Sequence, residues 1–365
     1  MSGSVTKKMI AAYAQGAEPT LFLSGFFQSP AENFHSSEEV EIDIVRSDED
    51  VAIAVQDLST GYRMNSEDLY TNKSFKPVIY KEAVPINSFD LIKRMPGENP
   101  FQSPDFRANV ITRIFSGMRK VERKIRRSVE IQASQVLQTG TVTLNDSAGN
   151  AVYSIDYKPK AAHFPTAGTS WATATAAQKA ADIIALAETI RNNGLANPDQ
   201  LIFGADDYEN LINDADFRSR FDVRRIDQGT IAPMEVRGNG GIYRGIVELG
   251  NYRYDVWTYG GRYKDPQTGN KVQYVNNGKV IVRASSGRLD ATFGAIPNIG
   301  NLLGGGSSRL LPELPSRLAN AAGGMDLFTN AWLSNDGEQL FGGVGARPLL
   351  IPTAIDTFGC LTTQL

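Results

Sequence analysis

The stretch that decides the fold is "SPDFRANVITRIFSGMRKVERKIRRSVEIQASQVLQTG", residues 103–140. Ser103 is a preferred N-cap residue, Pro104 suits the first helical position, and Asp105 lies where the helix dipole favours a carboxylate. Gly140 is a suitable residue to end a helix, at the position after the C-cap. Roughly 36 residues without an internal proline separate these signals, which predicts one helix about 54 Å long.

This helix is predicted to be amphipathic. Its apolar residues recur at steps of three and four and form one stripe: Phe106, Val110, Ile114, Met118, Val121, Ile125, Val129, Ala133 and Val136. Seven basic residues project onto the opposite half, here called the basic face: Arg113, Arg119, Lys120, Arg123, Lys124, Arg126 and Arg127. Residues 105–127 contain eight basic and two acidic side chains, a net charge of +6.

An acidic segment earlier in the chain is a plausible counterpart for the basic face. Residues 38–50, "EEVEIDIVRSDED", contain seven carboxylates and one arginine, a net charge of −6. Alternation predicts a strand with an apolar face and an acidic face. The apolar face consists of Val40, Ile42 and Ile44, and the acidic face of Glu39, Glu41 and Asp43.

Three roles for the basic face stay open from sequence. It is a solvated helix surface, as most charged helix faces are, or it pairs with the acidic strand within or between subunits. It alternatively contacts nucleic acid, although no interleaved aromatic residues offer base stacking. A contact to phosphates would be independent of base sequence and strongly dependent on salt.

The segments around the acidic strand resemble an arm and a long hairpin. Residues 1–35 predict an arm with a short helix around Lys7–Tyr13 and an aromatic-rich extended part. Residues 51–94 alternate like a hairpin that turns at Ser59–Gly61. Pro77 and Pro85 lie on its return limb, where only edge positions tolerate proline. Few large apolar residues lie in the middle of this hairpin, so it needs a neighbour to lie on.

The C-terminal half predicts a mixed lobe followed by strands. Residues 140–157 resemble a hairpin, and residues 166–226 have α/β character, with helices at Ala176–Asn192 and 205–221 flanking a buried strand at 200–204. From Gly245 the period of two predicts a meander. The remaining expectations are hairpin turns at Pro266–Asn270 and Asn277–Gly278, a Gly/Pro/Ser-rich loop at 297–324, and an apolar closing strand within 347–364.

Composition excludes several classes of chemistry. The chain has 365 residues, a net charge of −3, two histidines and one cysteine, Cys360. A single cysteine allows no intrachain disulfide and fits a reducing compartment. The N-terminus lacks the apolar run of a signal peptide, so we expect a cytoplasmic product. No phosphate loop, dinucleotide fingerprint or histidine-based metal spacing occurs, so we expect no cofactor, no metal site and no enzyme.

Five blocks in a fixed order resemble one family, the major capsid proteins of tailed phages to which phage lambda's major capsid protein belongs. The blocks are "FHSSEEVEIDIV", "FKPVIYKEAVPINSFDLIKRMPGENPF", "VERKIRRSVEIQASQVLQTGTVTL", "GIYRGIVELGNYRYDVWTYGGRYKDPQTGNKVQYVNNGKVIV" and "RPLLIPTAIDTF". Together they touch most of residues 20–360. The main departure is the longer Gly/Pro-rich stretch at 297–324, whose role the resemblance does not supply.

The resemblance implies an α+β fold of the Hong Kong 97 capsid type. Such a fold has an N-terminal arm, an extended β-hairpin loop, a peripheral domain with a long spine helix, and an axial domain. Carried onto this chain, the arm is 1–35 and the extended loop is 51–95. The peripheral domain is 36–50, 96–165 and 325–365, with the spine helix at about 104–139, and the axial domain is 166–324.

The resemblance also implies a function. The chain is expected to assemble as hexamers and pentamers into an icosahedral head shell that encloses double-stranded phage DNA. Expected partners are other copies, scaffold and portal proteins, a decoration protein, and packaged DNA through non-specific contacts, but no membrane. The expected location is the virion, after assembly in the host bacterial cytoplasm. Alternatives are an encapsulin-like compartment shell and a soluble hydrolase or ligand-binding protein.

Overall fold

The computed structural model describes most of the chain in separate stretches. The described residues are 21–35, 39–44, 71–87, 106–145, 150–219, 221–222, 225–227, 230–232, 240–296, 326–334 and 339–363. They divide into two compact units. The first contains Met1–Val40, Phe75–Ile131 and Ala291–Leu350, and the second contains Glu41–Ser74, Gln132–Asp290 and Ile351–Leu365.

The described elements form a mixed helix and sheet architecture. The helices are α1 Phe106–Thr139, α2 Ala176–Gly194, α3 Ala205–Ile212 and α4 Ala215–Ser219. The strands are β1 Val40–Ile44, β2 Thr71–Phe75, β3 Tyr80–Asn87, β4 Thr141–Asn145, β5 Ala151–Asp156, β6 Gln200–Phe203, β7 Phe221–Asp222, β8 Arg225–Asp227, β9 Thr230–Ala232, β10 Gly241–Leu249, β11 Tyr252–Tyr259, β12 Arg262–Lys264, β13 Lys271–Gln273, β14 Lys279–Arg283, β15 Asp290–Phe293, β16 Phe328–Leu333, β17 Gln339–Ala346, β18 Pro348–Ile351 and β19 Phe358–Thr362.

A six-stranded sheet organises the second unit. Its order is β19-β14-β6-β11-β10-β7, in which β6 and β11 run parallel and the other neighbours run antiparallel. The strand β6 reads "QLIF", and its apolar run "LIF" is of the kind that suits a strand covered on both faces. Its Leu201, Ile202 and Phe203 are fully buried, which confirms the buried strand expected at 200–204.

Helix α2 packs against this sheet. It begins with a capping box, in which the Thr175 side chain accepts from the backbone of Gln178 and the Gln178 side chain accepts from the backbone of Thr175. Ile183, Leu186 and Ile190 are buried against the sheet residues. Their spacing of three and four residues therefore produces the face that sequence periodicity predicted.

The predicted helix over 205–221 is wrong as a single element. The structure has α3 and α4 instead, separated at Asn213 and Asp214. The Asp214 side chain accepts a hydrogen bond from the backbone N–H of Asp216 at 3.2 Å. An aspartate that satisfies an N-terminal N–H competes with the continuing helix and begins a new one.

The predicted meander is also partly wrong. The hairpin β12–β13 forms around the expected turn at 266–270, but β14 does not pair back with β13. It lies between β6 and β19, because its "VIV" run is fully buried whereas no residue of β13 is. Gly278 adopts a positive φ of 78° and its N–H donates to the Asp207 carboxylate, so the turn directs the chain into the sheet rather than into a hairpin.

The predicted closing strand is two strands in different sheets. Pro348–Ile351 pairs with β15, and Phe358–Thr362 forms the edge of the six-stranded sheet. Pro352 lies between them and cannot donate to a ladder, which separates the two apolar runs. The hairpin expected over 140–157 is confirmed by the antiparallel pair β4–β5.

A three-stranded antiparallel sheet and α1 form the core of the first unit. The sheet order is β16-β17-β3, and Val84 and Ile86 of β3 pack with Ile114 and Met118 of α1. A Cβ added to Gly342 of β17 would lie 3.2 Å from side-chain carbons of α1, so the sheet approaches the helix closely there.

Pro85 lies in β3, the edge strand of this sheet, where the sequence placed it. The predicted helix matches α1 at its C-terminal end, Thr139, while the proposed cap at Ser103 and Pro104 lies outside the described residues. The arm helix near Lys7, most of the extended hairpin and the 297–324 loop also lie outside them. The domain boundaries stay a prediction.

Candidate assembly surface

The seven residues of the basic face lie along the solvent side of α1. Four of them are exposed, namely Lys120, Arg123, Lys124 and Arg127, and three are half-buried, namely Arg113, Arg119 and Arg126. Ile114, Met118, Val121 and Ile125 are buried on the other side of the helix. The amphipathic pattern is therefore present in the described part of α1.

Two of these cations pair with carboxylates that sequence analysis did not single out. The Lys124 ammonium lies 2.7 Å from the Glu82 carboxylate of β3. The Arg126 guanidinium donates to both carboxylate oxygens of Asp326, at 2.9 and 2.5 Å, and also lies 3.9 Å from Glu122. The Lys124–Glu82 pair is half-exposed and contributes at most about 1 kcal/mol. The Arg126–Asp326 pair is bidentate, so it also fixes the relative orientation of the two side chains.

Glu82 could have been found from the sequence. It alternates with Tyr80, Val84 and Ile86, so it shares the face of β3 that packs on α1. Asp326 carried no such signal, because it lies 200 residues from its partner and just after the Gly/Pro-rich stretch.

The acidic strand forms as predicted in its backbone. β1 spans Val40–Ile44 and pairs with β2. Val40 is fully buried and Glu39 is exposed, in agreement with the alternation. The side chains of Glu41 and Asp43 lie outside the description, so their pairing with the basic face stays a prediction.

One buried carboxylate of α1 is hydrogen-bonded to the described part of the arm. Glu130 is 0% exposed, and its two oxygens accept the backbone N–H groups of Leu23 and Ser24 at 2.7 and 2.8 Å. Phe22 and Leu23 are buried beside it. Sequence analysis missed this contact because Glu130 lies beside the apolar stripe with no partner nearby in sequence.

A second buried anchor lies at the base of β3. The guanidinium of Arg347 is buried, and it donates to the carbonyl oxygens of Pro77 at 3.0 Å and Ala295 at 3.2 Å. Hydrogen bonds from a charged donor to backbone carbonyls fix the path of both segments. The return limb of the predicted extended loop is thus held in place at Pro77 by a side chain of the folded unit.

Two buried titratable groups of the second unit have raised pKa values. Burial raises the pKa of Asp207 to about 6, although its oxygens accept from the Gly278 N–H and the Thr363 hydroxyl, each at 2.9 Å. Burial also raises the pKa of the Cys360 thiol to about 12, so it stays protonated at neutral pH. A protonated, buried thiol packs as a small hydrophobic side chain.

No described helix combines the length and apolarity that crossing a membrane requires. Among the residues whose placement is described, no group of three or more His, Cys, Asp or Glu side chains is arranged to hold a metal ion.

Comparison with known proteins gives one family match. The model of the family described as "Phage major capsid protein E" matches residues 8–362. No curated protein matches the chain.

Solved structures that resemble the chain include phage and shell proteins. A prophage protein of E. coli CFT073, assigned as a capsid protein, is 18% identical, with 98% of each chain covered and a TM-score of 0.63. The capsid of Ralstonia phage GP4 is 10% identical over 94% of this chain and 84% of that chain, with a TM-score of 0.46. The SrpI encapsulin of Synechococcus elongatus PCC 7942 is 11% identical over 97% of this chain and 94% of that chain, with a TM-score of 0.42. At these identities, the first similarity supports a shared fold alone.

Proposed function

The chain belongs to the phage major capsid protein E family, and from this premise we propose that its copies assemble as hexamers and pentamers into an icosahedral shell around double-stranded DNA. The observation that carries the proposal is the family match over residues 8–362, which covers nearly the whole chain. The fold is the α+β capsid fold of Hong Kong 97 type that the sequence predicted. As a capsid protein, the chain is a structural component of the virion.

We assign the parts of the chain to this assembly as the sequence suggested. The arm is residues 1–35, the extended loop is 51–95, the axial domain is 166–324, and the remainder forms the peripheral domain around the spine helix α1. The buried side chains of Glu130 and Arg347 support this assignment, because they bind backbone groups of the described parts of the arm and of the loop's return limb. Segments that bridge subunits need such a fixed base, since ordering them during assembly costs entropy.

We infer that the basic face pairs with acidic groups of this chain or of a neighbouring copy before it contacts DNA. Two of its cations already pair with Glu82 and Asp326 inside the first unit. Lys120, Arg123 and Arg127 lie three and four residues apart, so they form one exposed ridge suited to the acidic face of β1 on a neighbour. DNA phosphates are the second candidate for this ridge.

The proposed partners beyond other copies are scaffold, portal and decoration proteins, with assembly in the host bacterial cytoplasm. We infer no enzymatic activity. The pKa of about 12 for the buried Cys360 thiol supports this inference, because it removes the one cysteine of the chain as a nucleophile.

Removing the tip of the extended loop tests the proposal. Deletion of residues 59–68, closed by a short Gly-Ser bridge, leaves β2 and the Pro77 carbonyl in place. We expect the variant to fold with an unchanged circular dichroism spectrum, yet to form no shells in negative-stain electron microscopy, because the crossing segment is lost. Normal shells from the deletion variant would contradict the loop assignment.

A further inference from the structure

His163 lies in a buried junction of three segments of the second unit. It is the last residue of a short 3-10 helix, Ala161–His163, and it is 1% exposed. The C-terminal end of α2 packs against this turn, and so does a second short 3-10 helix, Ile355–Thr357, which leads into β19. A titratable side chain therefore lies where three backbone segments meet.

Two glycines show how closely these segments approach. A Cβ on Gly194, the last residue of α2, would lie 2.4 Å from the carbonyl oxygen of Asp356. A Cβ on Gly359 of β19 would lie 2.5 Å from the carbonyl oxygen of His163. Packing of this density transmits a local change to its neighbours, so a changed hydrogen bond at His163 affects the whole junction.

The hydrogen bonds of the junction fix the protonation state of the imidazole. Nδ1 of His163 lies 2.9 Å from the carbonyl oxygen of Phe358, and because a carbonyl only accepts, Nδ1 carries a proton. Nε2 lies 3.1 Å from the side-chain amide nitrogen of Asn193. The amide oxygen of Asn193 accepts from the Lys160 ammonium at 2.9 Å, so the amide nitrogen, which only donates, faces Nε2. Nε2 therefore accepts, and His163 is neutral in this arrangement.

A carboxylate lies beside the same ring nitrogen. Oδ1 of Asp356 lies 3.8 Å from Nε2 of His163, which is too long for a hydrogen bond, and Oδ2 lies 3.5 Å from the Lys160 ammonium. If Nε2 gains a proton, it no longer accepts from Asn193, and the two N–H groups then face each other. The carboxylate of Asp356 attracts the new cation. One nitrogen thus has two alternative partners, one for each protonation state.

Each element packed against His163 contributes one group to its surroundings. The turn before β19 contributes the Asp356 carboxylate, and the turn that contains His163 is preceded by the Lys160 ammonium. Helix α2 contributes the neutral amide of Asn193, and β19 contributes the carbonyl of Phe358. The two charges are opposite and lie close to each other, so the hydrogen bond from Asn193 favours the neutral imidazole.

We propose that His163 is a proton-operated switch at the end of α2. As pH falls, the lone pair of Nε2 binds a proton from solvent, the hydrogen bond from Asn193 breaks, and the imidazolium pairs with Asp356. The last turn of α2 is then released from the junction. Arg191 and Asn192 in this turn are exposed, so a surface of the second unit changes with pH. The switch goes beyond the proposed function and does not depend on it, because all of its contacts lie within the second unit.

Nitrogen NMR of the unassembled full chain tests the neutral state, because the chain contains one other histidine, His35. The variant His35→Gln assigns the signals by removing the second imidazole. At about pH 7.5, the nitrogen shifts of His163 should show a protonated Nδ1 and an unprotonated Nε2. A protonated Nε2 at this pH would overturn the inference.

Hydrogen exchange measures the release of α2. After correction for the intrinsic dependence of exchange on pH, protection of amides 192–194 should fall at least about tenfold between about pH 7.5 and about pH 5. Amides 183–187 in the middle of α2 should keep their protection, because they pack in the core. Unchanged protection at the end of α2 contradicts the switch, and an equal fall along the whole helix would show unfolding of the helix instead and contradict it as well.

The variant Asn193→Asp gives a result that a merely structural role of His163 would not give. Its carboxylate accepts both from Lys160 and from a protonated Nε2, so it favours the charged imidazole. We expect His163 to bind its proton at a pH about one unit higher than in the wild type, measured by the same NMR titration. An unchanged titration of His163 in this variant would refute the assignment of Asn193 as the partner that holds the neutral state.

Asp207→Asn is the matched control for the pH response. Asp207 belongs to the same unit, and burial raises its pKa to about 6, within the range of the experiment. This variant should keep the fall in protection at amides 192–194. Loss of the fall in Asp207→Asn would assign the pH response to Asp207 and overturn the inference.

Discussion

Single carboxylates stabilise contacts between segments that are far apart in this chain. Glu130 binds the arm through two backbone N–H groups, and Asp207 connects α3 to the turn at Gly278 and to Thr363. Both carboxylates are fully buried. Neither was selected from the sequence, because no local pattern indicates a partner that lies about 70 to 160 residues away. Their removal leaves buried N–H groups without acceptors, which is costly.

Asp207 predicts a specific dependence of stability on pH. Its folded pKa of about 6 lies above the ordinary value of 3.8, so the folded state holds a proton more tightly than the unfolded state. The corresponding stability is fully present below pH 3.8 and is lost as pH rises through 6, a change of about 3 kcal/mol. We expect Asp207→Asn to flatten this part of the pH profile in urea unfolding between pH 4 and 8.

A second aspartate provides the control for this experiment. Asp265 lies in the turn between β12 and β13, and hydrogen bonds from the Gln267 N–H and the Thr268 side chain lower its pKa. The stability that Asp265 contributes is therefore present above its ordinary pKa of 3.8 and is lost only as pH falls below that value. Asp265→Asn should leave the dependence of stability on pH between pH 5 and 7 as in the wild type. A wild-type dependence in Asp207→Asn would contradict the assignment of this pH effect to Asp207.

At the scale of elements, the sequence predicts what depends on local spacing and misses what depends on pairing. The long helix, the β4–β5 hairpin and the edge position of Pro85 followed from periodicity, glycine and proline. The insertion of β14 between β6 and β19 did not, because a strand's partner is set by distant burial rather than by its own residues. The close approach at Gly342 is likewise visible only once β17 lies against α1.

The exposed ridge of α1 gives a prediction at this scale. Replacing Lys120, Arg123 and Arg127 by glutamate should leave the fold intact, because all three side chains are exposed. If the ridge pairs with carboxylates of neighbouring copies, shell yield falls even in the absence of DNA. The loss arises from like charges that now face each other. We expect this loss of shell yield, measured by sedimentation and negative-stain imaging.

The control for the ridge is a triple reversal elsewhere. Arg262, Lys264 and Lys271 are exposed on the β12–β13 hairpin, and their change to glutamate alters the net charge equally. That variant should assemble as the wild type does. Empty shells at normal yield with poorer retention of DNA from the ridge variant would assign the ridge to DNA, and no effect on either would show it to be a solvated surface.

At the scale of the whole molecule, the chain is better suited to assembly than to chemistry. Its strongest features are an arm and a β3 segment held by buried side chains, and a long charged helix. The family and its fold could be recognised from five sequence blocks, but the anchors could not, since they are buried contacts between separate blocks. Function here lies in surfaces that are complete only between copies.

Size-exclusion chromatography of the purified full chain, with negative-stain imaging of the excluded fraction, tests this account most directly. We predict closed shells tens of nanometres across, built from this chain alone or after addition of the phage's scaffold protein. A chain that remains an inert monomer under both conditions would contradict the account.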